Sequence, residues 1–332
     1  MAQLGAHGFV RGSFVPPAPI RAPRDLTRTR TALTRERARE VQRLEKLLEG
    51  AGIKLSAVAT DIVGVSGRAR FEALFAGQRD PAVLADLAKR KLRWQLGELT
   101  EALIGRFEDH HAFLARIHLD LIDHLTEAID QVTTRIEDAM APFHDVRDLI
   151  CTIPGVSTLV ADVIIAETGA DMPQFPSPGH LASWAGTCPG ADEPAGRVKS
   201  THTRPANPYL KGALGVAAMA EASTKGTYLA AERRRVAARP GPLKAVVAVE
   251  HAMLIVIWHM INDEALYRDP GAAYYTRLNP DKIKNRAIDQ LTAIGYTVTL
   301  TPDPSQTRSQ GESSRQEHVR CMRHGFGTKP GG

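Results

Sequence analysis

Residues 152–167 read TIPGVSTLVADVIIAE, and this stretch decides the fold class. Gly155 makes a turn, and Leu159, Val160, Val163 and Ile164 recur behind it at helical spacing. The pattern is that of a helix-hairpin-helix, and equally of an ordinary helical packing unit. In a helix-hairpin-helix the glycine lets the backbone turn tightly. Free amides at the start of the second helix then face a phosphate, where the helix dipole also favours an anion. Gly155 is therefore a candidate nucleic-acid-binding residue.

Working outward, residues 145–265 are rich in alanine, glycine and proline with short helical runs, which predicts a mainly helical domain beginning near Pro142. On its N-terminal side, residues 66–144 form a second region. From Val83 to Met140 apolar residues recur every three or four positions, among them Leu84, Leu99, Leu103, Phe107, Leu121, Ile129 and Ile136. This predicts an antiparallel helical hairpin or a coiled coil, with His110 and His111 at the turn or interrupting the stripe. Further back, Leu26, Leu33, Val41, Leu44 and Leu48 predict a helix over 25–49, stopped by Gly50 and Gly52. Pro16, Pro17 and Pro19 predict an extended connector before it. The helix carries nine basic residues against five acids between Arg21 and Glu49. Such a face is either solvated through Glu–Arg pairs or applied to phosphates. On the C-terminal side, a 266–301 extension should contain a helix over 285–295 and a strand over Tyr296–Leu300. Residues 302–332 are polar and expected to be disordered.

The 332 residues carry 42 lysines and arginines against 37 acids, a formal charge of +5. That balance favours an anionic partner, and its distribution sharpens the point. Between Ala195 and Lys244 ten basic residues face two acids. Arg197, Lys199, Arg204, Lys211, Arg233, Arg234 and Arg235 are the candidate nucleic-acid-binding side chains. Cys151, Cys188 and Cys321 lack the number and spacing for a disulfide framework or a four-cysteine zinc site, so a cytoplasmic setting is expected. The longest apolar stretch, around Ala252–Trp258, is too short for a membrane span. Trp184 and Trp258 lie among apolar neighbours and are expected in the core. His318, Cys321 and His324 recur every third residue, but a metal site there needs a fourth ligand and an ordered backbone.

The longer motifs carry a resemblance. Residues 175–190 read FPSPGHLASWAGTCPG, 191–200 ADEPAGRVKS and 204–211 RPANPYLK. Residues 11–28 read RGSFVPPAPIRAPRDLTR, 51–68 AGIKLSAVATDIVGVSGR and 225–231 KGTYLAA. Over about residues 8–300 the chain resembles transposases of the insertion sequence 110 family and its 116 and 902 relatives. The resemblance implies an RNase H-like N-terminal domain whose acidic residues hold a divalent metal, with a C-terminal domain supplying a serine nucleophile. It also implies an element-encoded guide RNA. Magnesium is the cofactor expected of the full-length family; none is expected on this chain.

Against that pattern, Met1–Val10 contains no acid, so an N-terminal truncation is expected, with residues 1–65 a remnant of the RNase H-like α/β domain. Pro194 stands where the family has its serine, and proline has no hydroxyl to attack phosphorus. Ser200, further along the loop, substitutes as nucleophile only if the loop is rearranged, and is otherwise an ordinary polar loop residue. The expected fold is therefore mainly α: the remnant, a long hairpin or coiled coil, and a helical transposase domain. The expected function is DNA transposition with impaired catalysis, on insertion-sequence ends and target DNA, as a homo-oligomer joined through the coiled coil and with no membrane attachment. The other reading is a non-catalytic nucleic-acid-binding dimer.

Overall fold

In the computed structural model, residues 17–190, 202–238 and 241–301 are described, and they are mostly helical with no strand among them. The chain divides into two units, one spanning Ala22–Ala141 and the other beginning at Pro142 and including the segment up to Arg21.

The 22–141 unit is organised by two long helices, α1 (Ala18–Gly50) and α5 (Asp109–Met140). The connector expected up to Ile20 gives way to helix from Ala18. A proline in the first turn gives up an N–H that has no intrahelical partner, so Pro19 is tolerated there. Pro23 lies inside the helix and removes one bond of its ladder. Arg30 donates to the Thr133 hydroxyl at 2.8 Å and Arg37 to that of Thr126 at 2.7 Å, and His118 meets Glu40 at 2.9 Å. Numbers rise along α1 as they fall along α5, so the two helices are antiparallel. Arg39 pairs with Glu36 and Arg43 with Glu40. The arginine-dense helix thus spends these cations on its own acids and on α5, as the solvated reading of it expects.

The partner of α5 is therefore α1, which corrects the expectation of a hairpin confined to 83–140. The first part of that stripe breaks into α3 (Pro81–Asp86), a 3-10 segment (Arg90–Gln95) and α4 (Leu96–Ala102). Asp80 caps α3 by accepting from the Ala82 amide, and Arg90 takes a left-handed φ of 54°. Leu84, Leu99, Leu103 and Phe107 then reach one core with Leu44, Leu48 and Ile122, and with Phe71 of α2 (Val65–Phe75). Periodicity records which positions are apolar but not whether the axis stays straight. His110 and His111 fall at the start of α5, where Glu108 and His111 form a reciprocal cap.

The second unit holds α6 (His144–Cys151), α7 (Thr158–Thr168), α8 (Pro178–Trp184), α9 (Pro208–Glu221), α10 (Tyr228–Ala237) and α11 (Pro242–Asp263). Helices α6, α8, α9 and α10 all pack on α11. By length and composition α11 could cross a membrane, with a mean hydropathy of 1.6. Here it is the central helix of the unit, burying Ala245, Val249, Met253, Leu254 and Ile257. Beyond it come α12 (Tyr274–Leu278) and α13 (Pro280–Ala293), which begins five residues before the expected 285. The strand expected at Tyr296–Leu300 does not form; the segment is exposed and has no neighbouring strand to complete a ladder. The tail expected to be disordered, with His318, Cys321 and His324, lies outside the described residues.

Candidate nucleic-acid interface

Gly155 takes φ +88° in the turn between α6 and α7, and Ser157 caps α7 by accepting from the Val160 amide. A Cβ on Gly155 would meet the Ala217 carbonyl oxygen at 2.5 Å and the Glu221 amide nitrogen at 2.7 Å. The glycine therefore serves the close approach of this turn to α9 as well as the turn itself. Arg147 on α6 and Asp162 on α7 form a buried two-point ion pair, 2.7 Å from Nε to Oδ1 and 3.3 Å from Nη2 to Oδ2. It locks the two helices at their crossing.

The 191–201 loop lies outside the described residues, but its base is defined. Pro189 bridges Thr203, and the Gly190 amide donates to the His202 carbonyl at 2.9 Å. Gly186, at φ +68°, lets Arg204 and Ala206 lie against the end of α8; a Cβ there would come within 2.4 Å of the Ala206 side chain. Asn207 caps α9 and donates to the buried Glu167 carboxylate at 2.6 Å, tying the loop's exit to α7. Arg204 donates to the Ser183 hydroxyl at 3.1 Å, and Lys211 to that of Thr203, also at 3.1 Å. The base of the loop thus has two cations beside it. Cys188 meets His251 at 3.8 Å; burial pushes the Cys188 thiol up and the His251 imidazole down, so both are held neutral.

Residues 147–233 match the sequence profile of the Transposase IS116/IS110/IS902 family. This stretch is similar to that family's transposase domain. The match opens at Arg147, whose ion pair fixes the first two helices, and closes at Arg233 on α10. Comparison with curated proteins finds no match.

Within the transposase domain the sequence-predicted residues fall into separate places. Arg204 and Lys211 come together at the loop base, while Arg233 lies near the buried Glu221, whose backbone Gly155 touches. Arg234 is exposed. Arg235 is engaged differently: it makes a two-point pair with Glu232, at 2.8 and 2.7 Å, and stacks 4.6 Å over the Tyr275 ring. This arginine pins α12 to α10 and is less available to phosphate than its neighbours. Arg197, Lys199, Pro194 and Ser200 lie outside the described residues. Trp258 is half-buried and donates to the Phe175 carbonyl at 2.9 Å. Trp184, expected in the core, packs on Phe175 but also lines an open cavity with His180 and Ser183. The signal for these was the His-x-x-Ser-Trp spacing, which places His180 and Ser183 on one side of a short helix.

Magnesium requires a set of hard oxygen ligands. Four described acids of the domain are already engaged, Asp162 by Arg147, Glu167 by Asn207, Glu221 by Thr227 and Glu232 by Arg235. Glu250 is buried beside Lys211 on α11. Among the described residues, one group of three ligand-type side chains converges, Glu108, His110 and His111, and two of its members are imidazoles. That trio, with two nitrogen ligands, does not fit magnesium.

Proposed function

We propose that this chain is a DNA-binding transposition protein whose transposase domain engages insertion-sequence DNA but is impaired in strand transfer. The observation that carries the reading is the family match over 147–233, a stretch containing Arg204, Lys211 and Arg233 and adjoining Arg234. These cations would contact phosphates from the loop base and from α10, and the amides opening α7 would add a further phosphate contact. The impairment rests on Pro194, which stands at the family's serine position and cannot form a phosphoserine bond. The element-encoded guide RNA is the second nucleic acid such a surface would accept.

Purified chain should bind fluorescent duplex DNA of the element ends with strong salt dependence, yet leave it uncut in magnesium. Detectable strand transfer or a phosphoserine adduct would overturn the impairment. Reversing charge with Arg233→Glu and Arg234→Glu together should weaken binding irrespective of sequence; unchanged binding would remove α10 from the interface.

A second reading, a non-catalytic dimer that occupies element ends or guide RNA, is favoured by α5. Phe113, Leu114, Ile117 and Leu121 recur on it at helical spacing and remain exposed. Sedimentation of the chain and of an Ile117→Glu variant tests it: a dimer lost in the variant supports the reading, and a monomeric parent refutes it.

A further inference from the structure

Beside the base of the 191–201 loop, a cavity of about 390 Å³ opens to solvent, lined by His180, Ser183, Trp184, Arg204, Pro205 and Ala206. We infer that this cavity takes one unpaired nucleotide of a nucleic-acid strand, with Arg204 and His180 on the phosphodiester and Trp184 and Pro205 against the base. The inference rests on the reading of the domain as nucleic-acid-binding and specifies the form of nucleic acid that this site accepts.

Three observations support it. Among the described residues the lining contains a guanidinium, an imidazole and a hydroxyl and no carboxylate, a set that favours an anion over a cation. The polar groups are held in place: Ser177 Oγ lies 2.7 Å from His180 Nδ1, which leaves Nε2 of that ring for a ligand. Arg204 uses Nη2 on Ser183, which leaves the rest of the guanidinium. The rest of the lining is an indole, a proline ring and a methyl. Phosphates on a duplex ask only for charge on an accessible surface. A concave site with an aromatic wall admits a base only when that base is out of the stack. The volume lies in the range of pockets that hold small ligands.

The test uses the full chain with two fluorescent probes, a short oligothymidylate and a duplex, read by anisotropy. Trp184→Leu should raise the Kd for oligothymidylate about ten-fold and leave the duplex Kd within about two-fold. Because Trp184 also packs on Phe175, His180→Gln and Arg204→Gln provide a second reading at exposed positions. His180→Gln should weaken oligothymidylate more than duplex, whereas Arg204→Gln, at a cation of the phosphate surface, should weaken both. If the parent binds oligothymidylate but not duplex, the cavity stands and the duplex-binding function falls. If the parent binds duplex and Trp184→Leu and His180→Gln leave oligothymidylate unchanged, or lose both probes equally, the cavity assignment is overturned while the function stands. A parent that binds neither overturns both.

Discussion

Gly155→Ala tests how the transposase domain is assembled, because two separate costs meet at that position. The first is conformational: at φ +88° an L-residue costs about 1–2 kcal/mol. The second is steric. The added methyl would sit 2.5 Å from the Ala217 carbonyl oxygen, 2.7 Å from the Glu221 nitrogen and 2.7 Å from its Cβ. Two of these atoms are helix backbone and cannot rotate away, so the turn must withdraw from α9, an overpacking cost of about 1–3 kcal/mol. The expected total is about 2–5 kcal/mol. Gly226 separates the terms, since it has the same φ of +88° with nothing within 4 Å of its virtual Cβ. Gly226→Ala should therefore cost only the first term. Urea unfolding, followed by tryptophan fluorescence in a Trp94→Phe background, reads the domain through Trp184 and Trp258. If the two alanines cost the same, Gly155 is only a turn residue and the close approach to α9 carries no energy.

Removing one partner of the buried Arg147–Asp162 pair, as in Arg147→Met, takes the guanidinium from a carboxylate whose side chain is 3% exposed and should cost about 3–5 kcal/mol. Adding Asp162→Leu should recover most of that in a double-mutant cycle by urea unfolding; additive losses would show that the pair is not a unit. Glu250 is buried on α11, and burial pushes its carboxyl above the ordinary 4.5, with Lys211 opposing. The folded state then binds the proton more tightly than the unfolded one, so stability falls as pH rises from about 4.5 through the raised value. Glu250→Gln should accordingly raise Tm at neutral pH, with the gain shrinking towards pH 4; a gain that is constant with pH would refute the assignment. In the 22–141 unit, Ile122→Ala empties a fully buried position of the shared core and should cost about 2–5 kcal/mol by circular dichroism in urea. A loss below about 1 kcal/mol would mean that this core collapses around the gap.

The helical class was legible in the sequence because it depends on local patterns. Apolar spacing marked α1, α5 and α7, and Gly155 marked the turn, where the structure gives it a φ of +88°. The family resemblance was legible for a related reason, since motifs such as residues 175–190 are contiguous. Contacts between distant residues were not legible. The apolar stripe over 83–107 suits a straight helix as well as it suits short helices turned around one core, and only the packing of Leu84, Leu99 and Phe107 with Leu44 and Ile122 chose between them.

The cations divide along the same line. Composition identified Arg204, Lys211 and the triplet Arg233, Arg234 and Arg235 as equals. Their standing depends on neighbours far away in sequence, because an arginine already paired with a carboxylate and an aromatic ring has less to offer a phosphate. Tyr275 and Glu232 claim Arg235, whereas Arg204 borders an open cavity with His180 and Trp184. The sequence by itself determined a basic helical protein bearing a recognisable transposase motif set. Only the tertiary structure decided which helices pair, which charges are neutralised within the fold and where an indole and a guanidinium line one cavity. Those outcomes follow from burial and from distances between residues that periodicity does not relate.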